Sequence, residues 1–459
     1  MPGAVVLAAI AGAALATLPV AAGLWAAVLG ALAGAVVGGA LAERLKGFSP
    51  WSLALLAFLA PVFTMPVAPG ADMAMHAALA RGLLSGTLSP AWPSVHVAAY
   101  PRGFSALVAF FWPLGPARAG LLAAAASYLV FWYGLSALLQ WMRVPAARTV
   151  AAVALFLSKS PQAFFSWGGN PTALALGLAF FAVAQESATL AALCLAGSAA
   201  VHPMGALAGA LPLALRWQKP RVPLVAATAL CAVLGALALA GPQLSARELS
   251  WIRDYGLRHE HGSIALLGDP ANIATGLAAA VLVWRRRFRL VVRSAVAIVV
   301  LFALFLVLPY AGLYPVRFGP LLLVAAAPLW AEAAAARIPL FAAVALLVAA
   351  PFHLRWYQES TPMATAHDLD ALACLDRSTP GDAVIDGAYG DATQWIPALT
   401  GRKVTHPHEH VSLFDETDAA LERLPAPGFR FNGERMRYGE ALPPARGAAL
   451  CGGALLRLQ

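Results

Sequence analysis

The sequence predicts an α-helical polytopic membrane protein of about 11–13 transmembrane helices, followed by a small C-terminal α/β soluble domain. Three observations predict it. Of 459 residues, 60% are hydrophobic and 12% charged, with a mean hydropathy of +0.72, whereas average soluble domains carry about 25% charge. Apolar runs near the roughly 20 residues that cross a bilayer recur along the chain. The charge balance then reverses: residues 353–459 hold 10 Lys+Arg and 14 Asp+Glu, a net of −4, which leaves +13 on the rest of a +9 chain.

The apolar runs lie at 4–41 (long enough for two spans), 51–68, 103–116, 119–141, 148–165, 171–186, 188–215, 222–241, 263–284, 290–309, 320–335 and 338–352. The first lacks a basic leader and a second apolar run follows at once, so it reads as a retained span. The run at 103–116 is short, which suits a tilted or partly re-entrant segment. Domain 1–352 is therefore expected in the membrane, with an outward loop at 69–102, and 353–459 outside it.

Orientation follows from the basic clusters Arg44 with Lys46, Arg216 with Lys219 and Arg221, and Arg285-Arg-Arg-Phe-Arg289. Lys and Arg near span ends favour the cytoplasm. On this count the N-terminus is cytoplasmic, and loops 69–102, 242–262 and 310–319 face outward with the tail. Arg143 and Arg148 then fall outside, against the trend. The positive excess is that of a membrane protein, and no basic-aromatic surface suggests nucleic acid.

In the tail, His367–Leu375 and Glu416–Leu424 have helical spacing. Ala383–Asp386 reads as a strand, and Gln394–Arg402 as a short helix that stops at Gly401. Cys194 and Cys231 lie in spans and read as packing residues. Cys374 and Cys451 lie in a tail expected in an oxidising space. Either a Cys374–Cys451 disulfide or two buried thiols fits the sequence.

The first 352 residues contain eight acids: Glu43, Asp72, Glu186, Glu248, Asp254, Glu260, Asp269 and Glu332. Ionisable groups are costly at a membrane, so Asp72, just after an apolar run, is the leading candidate for chemistry. Asp72 and His76 are four apart and share a face if helical. That pair suits a general base, a divalent-metal site or, more plainly, the capped start of a helix at Met73–Leu84. Its loop also contains Arg81, Trp92, His96, Tyr100 and Arg102. Ser166-Trp-Gly-Gly-Asn-Pro171 is a polar break between spans, and His202-Pro203 interrupts the long apolar run 188–215. Asn170 and His202 can line a cleft there, or mark a kinked packing helix.

Asp72, His76, Ala80, Leu84, Gly86 and Pro90, then Tyr100-Pro-Arg-Gly-Phe104 opening a span, resemble the GT-C superfamily of membrane glycosyltransferases, in particular its poorly characterised bacterial members. The resemblance is loose and covers the chain through its helix count, first loop, late arginine and outward tail. It implies an inverting transfer of a sugar from a polyprenyl-phosphate donor to an acceptor hydroxyl of a glycan, lipid or protein. The place would be the outer face of a bacterial inner membrane.

The resemblance also implies roles. Asp72 matches the essential acid of the first outward loop, with His76 beside it. Many members carry two neighbouring acids there and this chain one, so a divalent cation and a metal-free mechanism both stay open. Arg317, in Tyr310-Ala-Gly-Leu-Tyr-Pro-Val-Arg-Phe318, matches an Arg-Phe pair near the lipid phosphate, with Arg102, Tyr100 and His96 also on the substrate side. Its plainer reading is an arginine snorkelling at a helix end. Trp395, in Trp-Ile-Pro-Ala-Leu-Thr-Gly-Arg402, either stacks on a sugar or packs in a core.

Two other places compete. Loop 242–262 carries Glu248, Asp254, His259, Glu260 and His261 for metal or acceptor, or forms a charge-balanced amphipathic helix. His406-Pro-His-Glu-His410 offers imidazoles to zinc or copper, or is an exposed polar strand end. No Walker loop, GxGxxG turn or GxSxG elbow is present, which argues against an ATP-driven pump or a Rossmann enzyme. A secondary transporter or lipid flippase is the rival from another class, though no internal repeat is visible.

Overall fold

The computed structural model describes residues 64–86, 101–158, 164–202, 269–311, 313–338, 340–345, 347–349, 362–388, 390–406, 421–435 and 444–458, with isolated positions near 204–208 and 250–254. These are mostly helical, with one small mixed sheet. The helices are α1 (Ala71–Ser85), α2 (Gly103–Phe111), α3 (Pro116–Trp141), α4 (Ala147–Leu157), α5 (Asn170–Ala184) and α6 (Ala188–Val201). They continue with α7 (Asp269–Trp284), α8 (Phe288–Val307), α9 (Pro320–Ala334), α10 (Ala366–Ser378) and α11 (Ile396–Thr400).

Three helical segments are long and apolar enough to cross a membrane: Pro116–Trp141, Phe288–Tyr310 and Pro315–Ala334. In the second, Val292, Val296, Val299, Val300, Leu306 and Val307 are all exposed. Apolar area turned outward on that scale needs a nonaqueous cover. α3 and α5, by contrast, are inside the bundle. Gly134 and Gly177 let their backbones meet, since a Cβ on Gly134 would lie 2.1 Å from the Gly177 carbonyl oxygen. Phe131 and Phe180 pack beside that crossing.

The helix ends sort into two groups. The start of α5, the end of α6 and the turn between α8 and α9 meet through Thr172, His202 and Arg317. The chain leaving α4 also returns there, at Trp167. The opposite end therefore holds the turns α3–α4, α5–α6 and α7–α8 and the end of α9. There Arg287 pairs with Glu332 at 3.8 Å, and the Arg285 guanidinium donates to the Ala333 carbonyl.

This corrects the orientation count. α2 has nine residues, continued by a three-residue 3-10 turn at Trp112–Leu114, and a nine-residue α-helix is about 14 Å long. The meeting of Thr172, His202, Arg317 and Trp167 at one end places Arg143 and Arg148 with Arg285–Arg289 at the other, where the count had put them on opposite sides.

In the tail, the strands are β1 (Val384–Gly387), β2 (Lys403–Val404), β3 (Phe429–Phe431), β4 (Gly447–Leu450) and β5 (Leu455–Leu458), in the order β2-β1-β3-β5-β4. β1 runs parallel to β2 and β3, and the other pairs are antiparallel. α10 starts with a capping box: the Asp368 N–H donates to Thr365 Oγ1 and the Thr365 N–H to Asp368 Oδ2, which satisfies two otherwise orphaned donors. Cys374 of α10 is disulfide-bonded to Cys451 at the β4–β5 turn. Cys194 is a buried free thiol in α6. The expected helix 416–424 reaches the described residues only in its last part, and Cys231 lies outside them.

Candidate functional site

α1 begins earlier than its sequence suggests. Its N-cap is Gly70, with φ +89°, so Asp72 sits in the first turn and does not cap the helix. The reason is steric. A Cβ on Gly70 would lie 2.1 Å from the Trp167 carbonyl carbon, and one on Gly168 (φ +93°) 2.8 Å from Asp72 Cβ. Two glycines in left-handed backbone thus let 70–72 lie directly on Trp167–Gly169. The polar break at 166–171 is the seat of Asp72.

The two faces of α1 do different things. Met73, Ala77 and Arg81 follow one stripe at a spacing of four. Met73 and Ala68 meet the Trp395 ring around Gly120, and Arg81 donates to the carbonyls of Ala398 and Leu399 at 3.2 and 3.0 Å. Asp72 and His76 form the neighbouring stripe. His76 is buried; its Nδ1 lies 3.2 Å from Ser105 Oγ and its ring meets Phe104 edge-on. Asp72 is half-buried.

Arg317 occupies the 3-10 turn Pro315–Phe318. Its Nη1 donates to Thr172 Oγ1 at 2.8 Å and lies 3.0 Å from His202 Nε2. The guanidinium also lies over the rings of Trp167 and Tyr314, 4.9 and 5.4 Å from their centroids, a cation–π pairing that offsets part of its lost hydration. Its Nε is buried without a hydrogen-bond partner among the described residues. Asn170 is fully buried; its Nδ2 donates to Met73 Sδ, and its Oδ1 has no hydrogen-bond partner among the described residues. Asp72 packs on Gly168 and Arg317 lies over Trp167, so both reach one turn of chain, and His202 adjoins Arg317.

The structure thus brings Asp72, His76, Asn170, His202 and Arg317 to one end of the bundle. Arg102 immediately precedes α2, whose Phe104 and Ser105 hold His76. His96 and Tyr100 lie outside the described residues, as does Trp92. Trp395 is fully buried against Gly120, Met73 and Ala68. A ring with no exposed face has no room for a sugar, so the geometry supports its packing reading and corrects the substrate-binding one.

Thr172, Trp167, Tyr314 and Ser105 are the partners that sequence reasoning missed. The two aromatics had a signal, since both flank motifs already singled out. Thr172 and Ser105 had none, because a small hydroxyl inside an apolar helix reads as packing.

The described residues bring no three of His, Cys, Asp and Glu together in a group fit for an ion. In loop 242–262, the described Arg253 and Asp254 pair with each other at 3.5 Å on the surface, and Glu248, His259, Glu260 and His261 lie outside the described residues. His406 Nδ1 lies 3.0 Å from Thr405 Oγ1 and 3.2 Å from the Gly387 carbonyl oxygen. His408, Glu409 and His410 lie outside the described residues.

Comparison with known protein families, with curated proteins and with solved structures finds no match to this chain.

Proposed function

We propose that the chain is an inverting, GT-C-like glycosyltransferase, a polytopic protein of about 11–13 spans with residues 353–459 on the extracytoplasmic side of a bacterial inner membrane. One observation carries the reading. An acid, a phosphate-type arginine and two histidines from segments far apart in sequence are brought to one end of the bundle around the turn at Trp167–Gly168. The opposite end is the basic one, and basic ends favour the cytoplasm, so the cleft opens outward.

In this reading the donor is a sugar on a polyprenyl phosphate and the acceptor a hydroxyl of a glycan, lipid or protein. Asp72 takes the acceptor proton as that oxygen attacks the anomeric carbon from the face opposite the phosphate. The bond from the anomeric carbon to the phosphate oxygen breaks, and the phosphate keeps the electron pair. Arg317 stabilises the charge that grows there. His76, fixed by Ser105 and Phe104, lies beside Asp72 on α1 and shares its proton. The aromatic walls Trp167 and Tyr314 shield Arg317 from water, which strengthens its hold on an anion.

The test is transfer of labelled sugar from a short-chain polyprenyl-phosphate donor by the purified full-length protein in lipid. Transfer that depends on Asp72 and inverts the anomeric centre is expected. Unimpaired transfer by a folded Asp72→Asn protein would overturn the assignment.

A further inference from the structure

His202 receives two N–H groups. The backbone N–H of Met204 donates to its Nδ1 at 3.2 Å, and Arg317 Nη1 approaches its Nε2 at 3.0 Å. A neutral imidazole has one acceptor nitrogen, so both contacts cannot be hydrogen bonds. One of the two ring nitrogens carries a proton and faces a donor.

The backbone decides which. His202 ends α6 in extended conformation, and its own N–H donates to the Ser198 carbonyl at 2.8 Å. The Gly205 N–H donates to the His202 carbonyl at 3.1 Å. With Pro203 next in sequence, His202 is placed as an N-cap whose side chain accepts from the second residue after it. A Cβ on Gly205 would lie 2.3 Å from Ala175 Cβ, so this turn is wedged against α5. The Met204 N–H is therefore fixed with His202 Nδ1 as its acceptor, whereas Arg317 Nη1 already has an acceptor in Thr172 Oγ1. Nδ1 is the acceptor, and Nε2 carries the proton.

We infer that His202 Nε2–H and the Arg317 guanidinium form a two-donor clamp for one phosphate-type oxygen. Two donors 3.0 Å apart repel unless they share an acceptor, and Arg317 Nε is buried without a hydrogen-bond partner among the described residues. An anionic oxygen satisfies both side chains. The clamp contributes one formal charge, from Arg317, because His202 binds as a neutral donor. It is matched to a singly charged phosphodiester better than to a diphosphate. The naming of a lipid-linked phosphate rests on the transferase reading; the clamp itself rests on the hydrogen bonds.

The experiment uses full-length protein in nanodiscs with ¹⁵N-labelled histidine, assigned by the His202→Gln spectrum. Nε2 is expected to carry the proton; an Nδ1–H tautomer overturns the clamp. Binding of a short prenyl phosphate is measured for wild type, His202→Gln, which keeps an N–H donor, and His202→Leu, which has none. Hydrogen bonds to charged groups are worth about 1.5–3 kcal/mol, so H202L is expected to bind about 10- to 100-fold more weakly and H202Q within about 3-fold. Equal affinity in H202L, or no phosphate binding by wild type, overturns the proposal.

Inorganic phosphate and prenyl alcohol separate the sources. His202-dependent binding of inorganic phosphate supports the clamp with a free anion as ligand. His202-dependent binding of the prenyl phosphate alone supports it with a lipid headgroup. A clamp that binds in a protein unable to transfer sugar stands without the transferase reading. Inverting transfer that H202L leaves unchanged, with equal binding, removes the clamp and keeps that reading.

Discussion

Arg402 in the tail donates to five oxygens: the Asp376 carboxylate and the carbonyls of Asp376, Thr379, Pro380 and Thr400. Arg317 in the bundle donates to one hydroxyl, lies 3.0 Å from a His202 ring nitrogen, and keeps Nε buried without a hydrogen-bond partner among the described residues. Both are largely withdrawn from water, yet only Arg402 has its lost hydration replaced by protein. A saturated charge holds a fold together, and an under-saturated one is set for a ligand. Among the tail's charges Asp386 repeats the first pattern, paired to Arg430 at 2.6 Å, whereas the neutral Gln394 amide and Trp395 Nε1 of the tail, like Asn170 Oδ1 of the bundle, are buried without a hydrogen-bond partner among the described residues.

Substitutions can break this contrast. On the proposed transferase reading, the largest expected effect is at Asp72→Asn: loss of a general base there lowers kcat by about 10²- to 10⁴-fold, read in the sugar-transfer assay with thermal unfolding unchanged. Arg317→Ala comes next, with a loss of about 10²- to 10³-fold. Arg317→Lys recovers little of it, because an ammonium lacks the planar fork. The decisive comparison is stability. Arg317→Met leaves the melting temperature unchanged or raises it. Arg402→Met leaves the carbonyls of Asp376, Thr379, Pro380 and Thr400 without their donor and destabilises the tail by about 1–3 kcal/mol, visible as faster hydrogen exchange of tail amides in the full-length protein. Equal destabilisation by the two would end the distinction.

A smaller effect is expected at Gly401→Ala. Gly401 ends α11 at φ +79°, and an added Cβ would lie 3.2 Å from the Arg81 guanidinium. Left-handed backbone costs an L-residue about 1–2 kcal/mol, so the change loosens the tail on α1. Limited proteolysis of full-length protein then cuts the tail faster.

The smallest effect is a pH slope from Asp391. Burial pushes its carboxyl above the ordinary carboxylate range, with Asp368 adding to the rise, against the hydrogen bonds from Thr393 and Gly433. The folded state then binds the proton more tightly than the unfolded one. Its contribution is greatest below the ordinary carboxylate value and declines as pH rises towards the raised one. Tail stability measured by hydrogen exchange should show that decline, and Asp391→Asn should flatten it.

Much of this was legible in the residues. The helices at 116–141, 170–184, 288–307 and 320–334 lie within a few residues of their apolar runs, because hydropathy and length are properties of the local chain. α10, β1 and the stop at Gly401 followed from spacing and glycine for the same reason. The disulfide was one of two open readings, since spacing along the chain says nothing of separation in space. Asp72, His76, Asn170, His202 and Arg317 were each visible as polar residues in apolar surroundings.

The sequence by itself determined the helix-rich plan, the acidic tail and which side chains were out of place, all of which depend on composition and period. Only the tertiary structure decided that Arg143 and Arg148 lie at the same end as Arg285–Arg289, that Trp395 packs and does not stack, and that Thr172 holds Arg317. It also decided that His202 faces two donors. Each depends on contacts between residues far apart in sequence, such as Gly70 on Trp167 and Gly205 on Ala175, where backbones touch at distances that no local pattern encodes.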